Sequence, residues 1–219
     1  MALEANRGQA KPEILFLNRA VGPNVAITAQ SILYSPSDVT LHFVGSNPTP
    51  QVRPSAPLPG VASVYAGSNS QNWVTEIPQY TQVELGEVYP AIDAQFVASE
   101  SALLLRLVCR PGCDLKQAVF ELSKVLSLTR NPDGALFVRL GTSRIDPYGL
   151  YAPPVAYQAS PSGRSSTLVS YEVLGMDRFA LQASGYDPSL PLHIEMNLGA
   201  FPGGGSSQTA SARDQSGNT

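Results

Sequence analysis

Short stretches that alternate apolar and polar residues, separated by turn-forming residues, run through almost the whole chain. They mix β-branched, aromatic and aliphatic residues, and they include "EILFLNRA", "DVTLHFVG", "DAQFVAS" and "SALLLRLVC". None keeps a 3.6-residue apolar period for three turns, whereas a period of two is typical of strands with one buried face. The pattern predicts an all-β protein, an antiparallel β-sandwich of many short strands and hairpins.

Two hairpins are the clearest local signals. In "VLSLTRNPDGALFVRLG", the segment from Asn131 to Gly134 places Pro and Gly where a tight turn needs them, between two alternating runs. In "STLVSYEVLGMDRFALQASGYD", the segment from Gly175 to Asp177 separates two further runs. Each stretch therefore predicts two antiparallel strands joined by a short turn.

At most one short helix is expected, in "DLKQAVFELSKVLSL". Asp114 would be its N-cap, and Ala118, Leu122 and Val125 would share one face. The apolar residues between them, such as Phe120, fit strands equally well, so both interpretations stay open.

Composition sets the domain organisation. The chain has 219 residues, 43% of them hydrophobic and only 14% charged, with 19 Pro and 18 Gly, which suits one large all-β domain joined by many turns. We predict one module over residues 1–202 and a disordered Gly/Ser-rich polar tail over residues 203–219. The Pro-rich "SNPTPQVRPSAPLPG" is predicted to be a long surface connection rather than a central strand.

Charge and hydropathy exclude several partners. The net charge is −3 and the few basic residues are scattered, so no nucleic-acid partner is expected. No run approaches eighteen apolar residues, which argues against a membrane span. The opening "MALEANRGQAKPE" lacks the basic and apolar regions of a signal peptide. Taken literally, that opening indicates a cytoplasmic protein.

Several motifs resemble, in order, the domain of unknown function that stands N-terminal to SBBP β-propeller repeats in secreted bacterial proteins. They are "LEANRGQAKPEILFLNRAVG", "LHFVGSNPTPQV", "PLPGVASVYAGSNSQNWVTEIPQYTQVELGEVYPAIDAQF", "PPVAYQ" and "YDPSLPLHIEMNLGAF". The chain departs from the family at its closing strand, which reads His193-Ile194-Glu195-Met196 where the family tends to have L-x-I-D-P. No propeller repeats follow in this sequence.

The resemblance implies a secreted or cell-surface location, with any leader lying outside this sequence. It also implies a non-catalytic β-sandwich module for cell-surface architecture, adhesion or self-assembly, with protein partners or further copies bound at strand edges and loops. The alternative is a carbohydrate-binding module.

The only two cysteines, Cys109 and Cys113, flank a Pro-Gly pair. A zinc site would need more ligands than these and the two histidines, His42 and His193, which have no ligand-like spacing. Redox motifs prefer two intervening residues rather than three. In the family this turn resembles V-x-P-G-A-D, which places both cysteines across a tight loop and favours a disulfide; two reduced cysteines are the alternative.

No nucleophile elbow, metalloprotease motif or phosphate-binding loop is present, so no enzyme and no cofactor are expected. Carboxylates for glycoside hydrolysis could be drawn from four residues, as in any β-protein. They are Glu76, Glu84, Glu87 and Asp93.

Aromatic residues raise the question of a sugar platform. Tyr148, Tyr151 and Tyr157 lie in the densest stretch and are the candidate ligand residues, although most of the aromatics are expected to fill the core. The single tryptophan, Trp73, would share one face of an extended segment with Ile77. We therefore predict that Trp73 is a core residue of the sandwich.

Overall fold

The computed structural model describes residues 1–19, 24–35, 37–99, 102–141, 148–160 and 163–198. The predicted tail, residues 203–219, lies outside this range. The strands are β1 Leu3–Ala5, β2 Phe16–Asn18, β3 Asn24–Ile27, β4 Ser31–Ser35, β5 Val39–Val44, β6 Gln51–Val64, β7 Val74–Tyr89, β8 Ile92–Ala98, β9 Leu103–Cys109, β10 Val119–Leu122, β11 Val125–Arg130, β12 Leu136–Leu140, β13 Tyr148–Tyr151, β14 Val155–Ser160, β15 Gly163–Val173, β16 Arg178–Ser184 and β17 Leu192–Asn197.

Two antiparallel sheets contain all of these strands. The large sheet has 14 strands in the order β1-β2-β3-β4-β5-β10-β16-β15-β14-β17-β9-β8-β7-β6, and β11-β12-β13 form the small one. Strand β1 also pairs with β7, with Leu3 opposite Tyr80 and Glu4 opposite Gln79. The large sheet thereby closes on itself, and the all-β antiparallel prediction is confirmed.

Alternation of side chains explains where the core lies. In β8 and β9 every second residue is buried, starting from Ile92 and Leu103, while the intervening residues are half-buried on the outer face. Buried residues of both sheets join in one hydrophobic cluster. Strands whose two faces differ in this way fold only in the register that turns the apolar face inward.

Both predicted hairpins are confirmed. Strands β11 and β12 pair through a turn in which the Gly134 amide donates to the Asn131 carbonyl at 3.0 Å and Gly134 has a φ of 89°. Strands β15 and β16 pair over Leu168–Val173, and the Leu174 amide donates to the Arg178 carbonyl across the turn. The turn residues therefore marked the reversals correctly.

Of the two interpretations left open for residues 114–128, the structure has strands and no α-helix, in agreement with the prediction of at most one short helix. Only a 3₁₀ turn, Leu115–Gln117, is helical there, with the Asp114 carboxylate accepting from the Lys116 amide. Strand β10 follows, because Phe120 and Leu122 alternate inward. Lys124 then has a φ of 59°, which an α-helix does not allow.

The Pro-rich segment is a strand and not the predicted surface connection. It forms most of β6, which lies at the edge of the large sheet and, among the described strands, pairs only with β7. Proline is tolerated at an edge because one side of the strand needs no hydrogen-bonded partner. The prediction that the segment is not a central strand is confirmed.

Candidate functional site

A disulfide joins Cys109, the last residue of β9, to Cys113 in the loop that follows, as predicted. The two Cα atoms are 5.6 Å apart, and Gly112 between them has a φ of 85°. Cys109 is buried, and Cys113 packs against the core. The disulfide thus fixes a tight turn at the end of a central strand, and it leaves neither cysteine free.

Tyr151, one of the candidate ligand residues, lies in the core, where most of the aromatics were expected. Its side chain is fully buried, and its hydroxyl lies 3.1 Å from the hydroxyl of Tyr34 on β4. Burial raises the pKa of both phenols. Tyr151 connects the small sheet to the core because its ring also contacts Tyr171 and Phe179. The side chain of Tyr148 lies outside the described part of the structure.

Tyr157 is half-buried on the outer face of β14, and its ring has close neighbours in both adjacent strands. The His193 ring on β17 stacks on it at a centroid distance of 5.0 Å and an angle of 7°. The Arg164 guanidinium on β15 lies 4.4 Å from its centroid. Because β14 lies between β17 and β15, these groups approach from opposite sides and leave no ring face open for a sugar.

A row of polar side chains crosses the outer face beside Tyr157. Arg53 contacts Glu84 at 2.5 Å, Gln95 donates to Glu84 at 2.9 Å, and Arg106 donates to Gln95 at 3.3 Å. Arg106 also pairs with Glu195 at 2.7 Å. This row spans β6, β7, β8, β9 and β17, and its members satisfy one another. The sequence signal was a polar residue at the outward position of each strand, but only the register brings those residues together.

His193 continues this row towards Tyr157. Desolvation by burial lowers the pKa of His193, and the positive charges of Arg106 and Arg164 lower it further. Its Nδ1 atom is buried and has no hydrogen-bond partner among the described residues. The ring therefore acts as a neutral stacking partner. His42 lies exposed on β5, and no cluster of metal-ligating side chains occurs in the described ranges.

Three of the four candidate carboxylates for acid–base chemistry have structural partners. Glu84 belongs to the polar row, and Glu87 pairs with Arg110 at 2.7 Å. Asp93 accepts the backbone amide of Glu87 at 2.7 Å. Glu76 is exposed at a position with a φ of 56°. Arg110 also lies 3.4 Å from Asp93, so Glu87 and Asp93 share one guanidinium, which holds both carboxylates in a structural ion-pair cluster.

A highly exposed structured element is the distal part of the β6–β7 hairpin, residues 58–78, which we term the arm; Gln79 and Tyr80 at its base pair with β1. None of the fourteen residues of β6 is buried, and β7 buries only Ile77 before Val83. Ile77 does not belong to the main core cluster. The arm is therefore held together by the pairing of β6 with β7, and its one buried residue, Ile77, lies outside the main core cluster.

Trp73 lies at the tip of the arm and is 41% exposed, so the prediction of a core tryptophan is wrong. Its indole Nε1 donates to the Gly67 carbonyl at 3.2 Å, and its ring meets Tyr65 edge-on at 5.2 Å. The predicted face shared with Ile77 does not exist, because the positive φ of Glu76 and a shift in register interrupt the alternation. Trp73 fastens the tip loop instead.

The arm is also free of charge over most of its length. Residues 54–75 contain no Asp, Glu, Lys or Arg, although the chain has 31 such residues, 14 basic and 17 acidic. Val61 and Tyr65 expose 61% and 64% of their surface. Sequence analysis missed this surface because it assigned the Pro-rich segment to a connection. The absence of charged residues from 54–75 was the feature of the sequence that could have revealed this surface.

Fold and disulfide together define an all-β, disulfide-bonded antiparallel module. The family model described as Domain of unknown function (DUF7948) matches residues 3–195, and the chain belongs to that family. Comparison with curated proteins and with solved structures gave no significant match. Within the described ranges, no helix has the length and apolarity needed to cross a membrane.

Proposed function

We propose that this chain is a non-catalytic extracellular module for cell-surface architecture or adhesion, and that the arm makes its contacts. The arm carries the proposal: it is a long structured hairpin with exposed Val61, Tyr65 and Trp73 and no role in the main core. An exposed apolar surface of this kind lowers the solubility of a protein, and a bound partner would cover it. The paired carboxylates are consistent with a role without catalysis.

The disulfide supports the extracellular part of this proposal. Disulfides persist in oxidising compartments and are rare in the cytosol, and Cys109–Cys113 closes a loop at the end of a central strand. The motif resemblance to domains preceding SBBP repeats points to the same location. We propose accordingly that the module acts beside β-propeller repeats on the bacterial surface.

A carbohydrate-binding role is the second candidate, and the arm tip is the observation that favours it. Tyr65 and Trp73 form an edge-on aromatic pair next to a loop rich in Asn, Ser and Gln, which includes Asn69 and Gln71. Aromatic rings with nearby amides suit sugar recognition. Glycan-array binding that Tyr65→Ala abolishes would favour this role over a protein contact.

Retention on cells tests the architectural role. Replacing residues 63–76 by Asn-Gly removes the tip and leaves a two-residue turn between Ala62 and Ile77, which are already paired. Both proteins would be secreted by the same bacterial host through a supplied leader. We expect the intact chain to stay with the surface fraction, accessible to added protease, and the shortened chain to appear folded in the medium.

Equal distribution of the two proteins would overturn the role of the arm. A matched control is Leu168→Ala, because Leu168 is 77% exposed on β15 and belongs to no part of the arm. This control should be retained like the intact chain. Loss of retention in the control would also count against the proposal, since it would show that retention depends on apolar surface outside the arm.

A further inference from the structure

The arm is a two-stranded ribbon in which the outer edge of β6 is free, and the chemistry of that edge changes along its length. Closure of the large sheet through β1 and β7 leaves β6 as its terminal strand. Pro54, Pro57 and Pro59 remove amide hydrogens from the first part of β6. The segment Gly60–Val64 has no proline and is paired with β7 on one side only.

We propose that Gly60–Val64 pairs with the same segment of a second copy of this chain, antiparallel and about a two-fold axis at Ala62. The proposal rests on the proposed function in that it uses the arm as the contact surface. It adds the partner and the register. A two-fold contact of this kind uses one surface on both copies.

The backbone of this segment has the direction that such pairing requires. Val61 lies opposite Pro78, which has no amide hydrogen to donate, while Ala62 lies opposite Ile77. Antiparallel ladders alternate hydrogen-bonded and non-hydrogen-bonded pairs. The pair with proline fits the non-hydrogen-bonded position, so the peptide groups of Val61 point to the free edge. The register shift between Ala62 and Val64 has its extra residue in β7, so β6 keeps its own alternation and the peptide groups of Ser63 point to the free edge too.

The proposed register then makes use of these groups. With Ala62 opposite Ala62 of the second copy, Val61 stands opposite Ser63 on both sides of the axis. Each of these two pairs can exchange two backbone hydrogen bonds, about four in total. The central pair is non-hydrogen-bonded, as the alternation demands.

The side chains are complementary in size in that register. Gly60 stands opposite Val64 of the second copy, and Val61 opposite Ser63, so each valine faces a small residue. A Cβ atom placed on Gly60 would meet no atom within 4 Å, so the space beside it is open to a neighbouring side chain. Alternation of large and small residues across a strand pair favours close packing.

Charge favours a second copy over an unrelated partner. Native proteins commonly protect sheet edges with charged residues such as lysine, and antiparallel self-pairing would place like charges close together. Residues 54–75 carry no charge, and so they neither repel themselves nor select an oppositely charged partner. A surface without charge is electrostatically compatible with its own copy.

The contact is small, and its strength follows from its size. Five residues on each side bury less than roughly 1,000 Å², the range of weak and transient interfaces. We expect a monomer–dimer equilibrium that is visible only at high concentration. Crowding on a cell surface would strengthen it through multivalency.

Sedimentation equilibrium tests the proposal on the full chain. Between about 10 µM and about 1 mM, the weight-average mass should rise from 23.2 kDa towards twice that value. Val61→Pro/Ser63→Pro removes all the outward amide hydrogens and should remain at the monomer mass. Val61→Thr/Ser63→Thr keeps them and should associate like the native chain. Unchanged thermal unfolding would show that the variants are folded.

Cross-linking locates the axis. Ala62→Cys places two cysteines opposite each other at about 4.5 Å between Cα atoms, which suits a disulfide, and should give a covalent dimer under mild oxidation. Ala66→Cys, in the tip loop, should not. A monomer at every concentration, equal association of the proline and threonine variants, or equal cross-linking at both positions would each overturn the proposal.

These results are independent of the retention experiment. If the chain is monomeric while retention on cells still needs the arm, the second copy is the wrong partner and the proposed function stands. If the chain dimerises while retention is unaffected by the arm, the inference stands and the proposed surface role falls.

Discussion

Strands β8 and β6 belong to the same sheet, with only β7 between them, but they are built for different tasks. In β8 every second residue is fully or nearly fully buried, whereas β6 buries none. Both strands pair antiparallel with β7. The comparison shows that strand formation and core formation are separable here, so that stability should reside in the closed sheet and contact with partners in the arm.

The largest difference between these regions should appear on truncation of a core aromatic. Phe120 is fully buried, stacks on Phe179 at 5.2 Å and meets Phe43 edge-on at 5.5 Å. Phe120→Ala should lower the free energy of unfolding by about 3–5 kcal/mol through lost burial and a cavity. Val61→Ala in the arm should change it by less than roughly 0.5 kcal/mol. Denaturant midpoints measure both, and similar losses would abolish the distinction.

Removal of the disulfide should have the next largest effect. Cys109→Ala/Cys113→Ala opens a loop of about five residues, which costs about 2 kcal/mol in the chain-entropy model. The loss should be seen in denaturant midpoints and should be matched by the native chain after reduction. If the reduced chain were as stable as the oxidised one, this turn, like the arm, would contribute little to the free energy of unfolding.

Truncation of the arm tryptophan should have a smaller global effect. Trp73→Ala removes the hydrogen bond to Gly67 and the contact with Tyr65 but opens no cavity in the core. We expect a loss of about 1 kcal/mol or less in global unfolding. Amide exchange should quicken in the tip loop and stay unchanged in β8 and β9. A loss as large as that of Phe120→Ala would show that the arm is part of the cooperative core.

Sequence patterns predicted the features that depend on local chemistry. Alternation identified strands such as β8 and β9, and the residues at Asn131–Gly134 identified a turn that the structure places there. The cysteine pair was also identified, from the resemblance to the family's tight turn together with the Pro-Gly pair between the two cysteines. Each of these features is determined by residues close together in the chain.

The misjudged features depend on partners far apart in the chain. Tyr151 resembles an exposed aromatic in sequence, but it is buried because Tyr34, 117 residues away, lies opposite it. The burial of Trp73 was overestimated because a single positive φ at Glu76 shifts the alternation. The polar row was invisible since it needs the register of five strands. Long-range pairing order was the missing information.

The smallest expected effect is the change in stability with pH that comes from His193, on the outer face of the large sheet. Its pKa is lowered in the folded chain from an unfolded value near 6.5, so the unfolded chain binds more protons just below that pH. The stability contributed by the neutral ring is complete above pH 6.5 and is lost as the pH falls through the window between the unfolded and folded pKa values. The charges that face the ring are Arg106, Arg164 and Glu195.

His193→Phe is the matched variant, because it keeps a ring against Tyr157 and cannot titrate. Denaturant midpoints of both proteins should be recorded in steps from pH 7.5 to pH 5. The native chain should lose more stability than the variant as the pH falls below 6.5, and the two should run parallel above it. Carboxylate effects cancel in this difference because both proteins share them. Parallel curves throughout would mean that the His193 ring is as well solvated as an arm residue. That result would contradict the burial of His193 beside Tyr157.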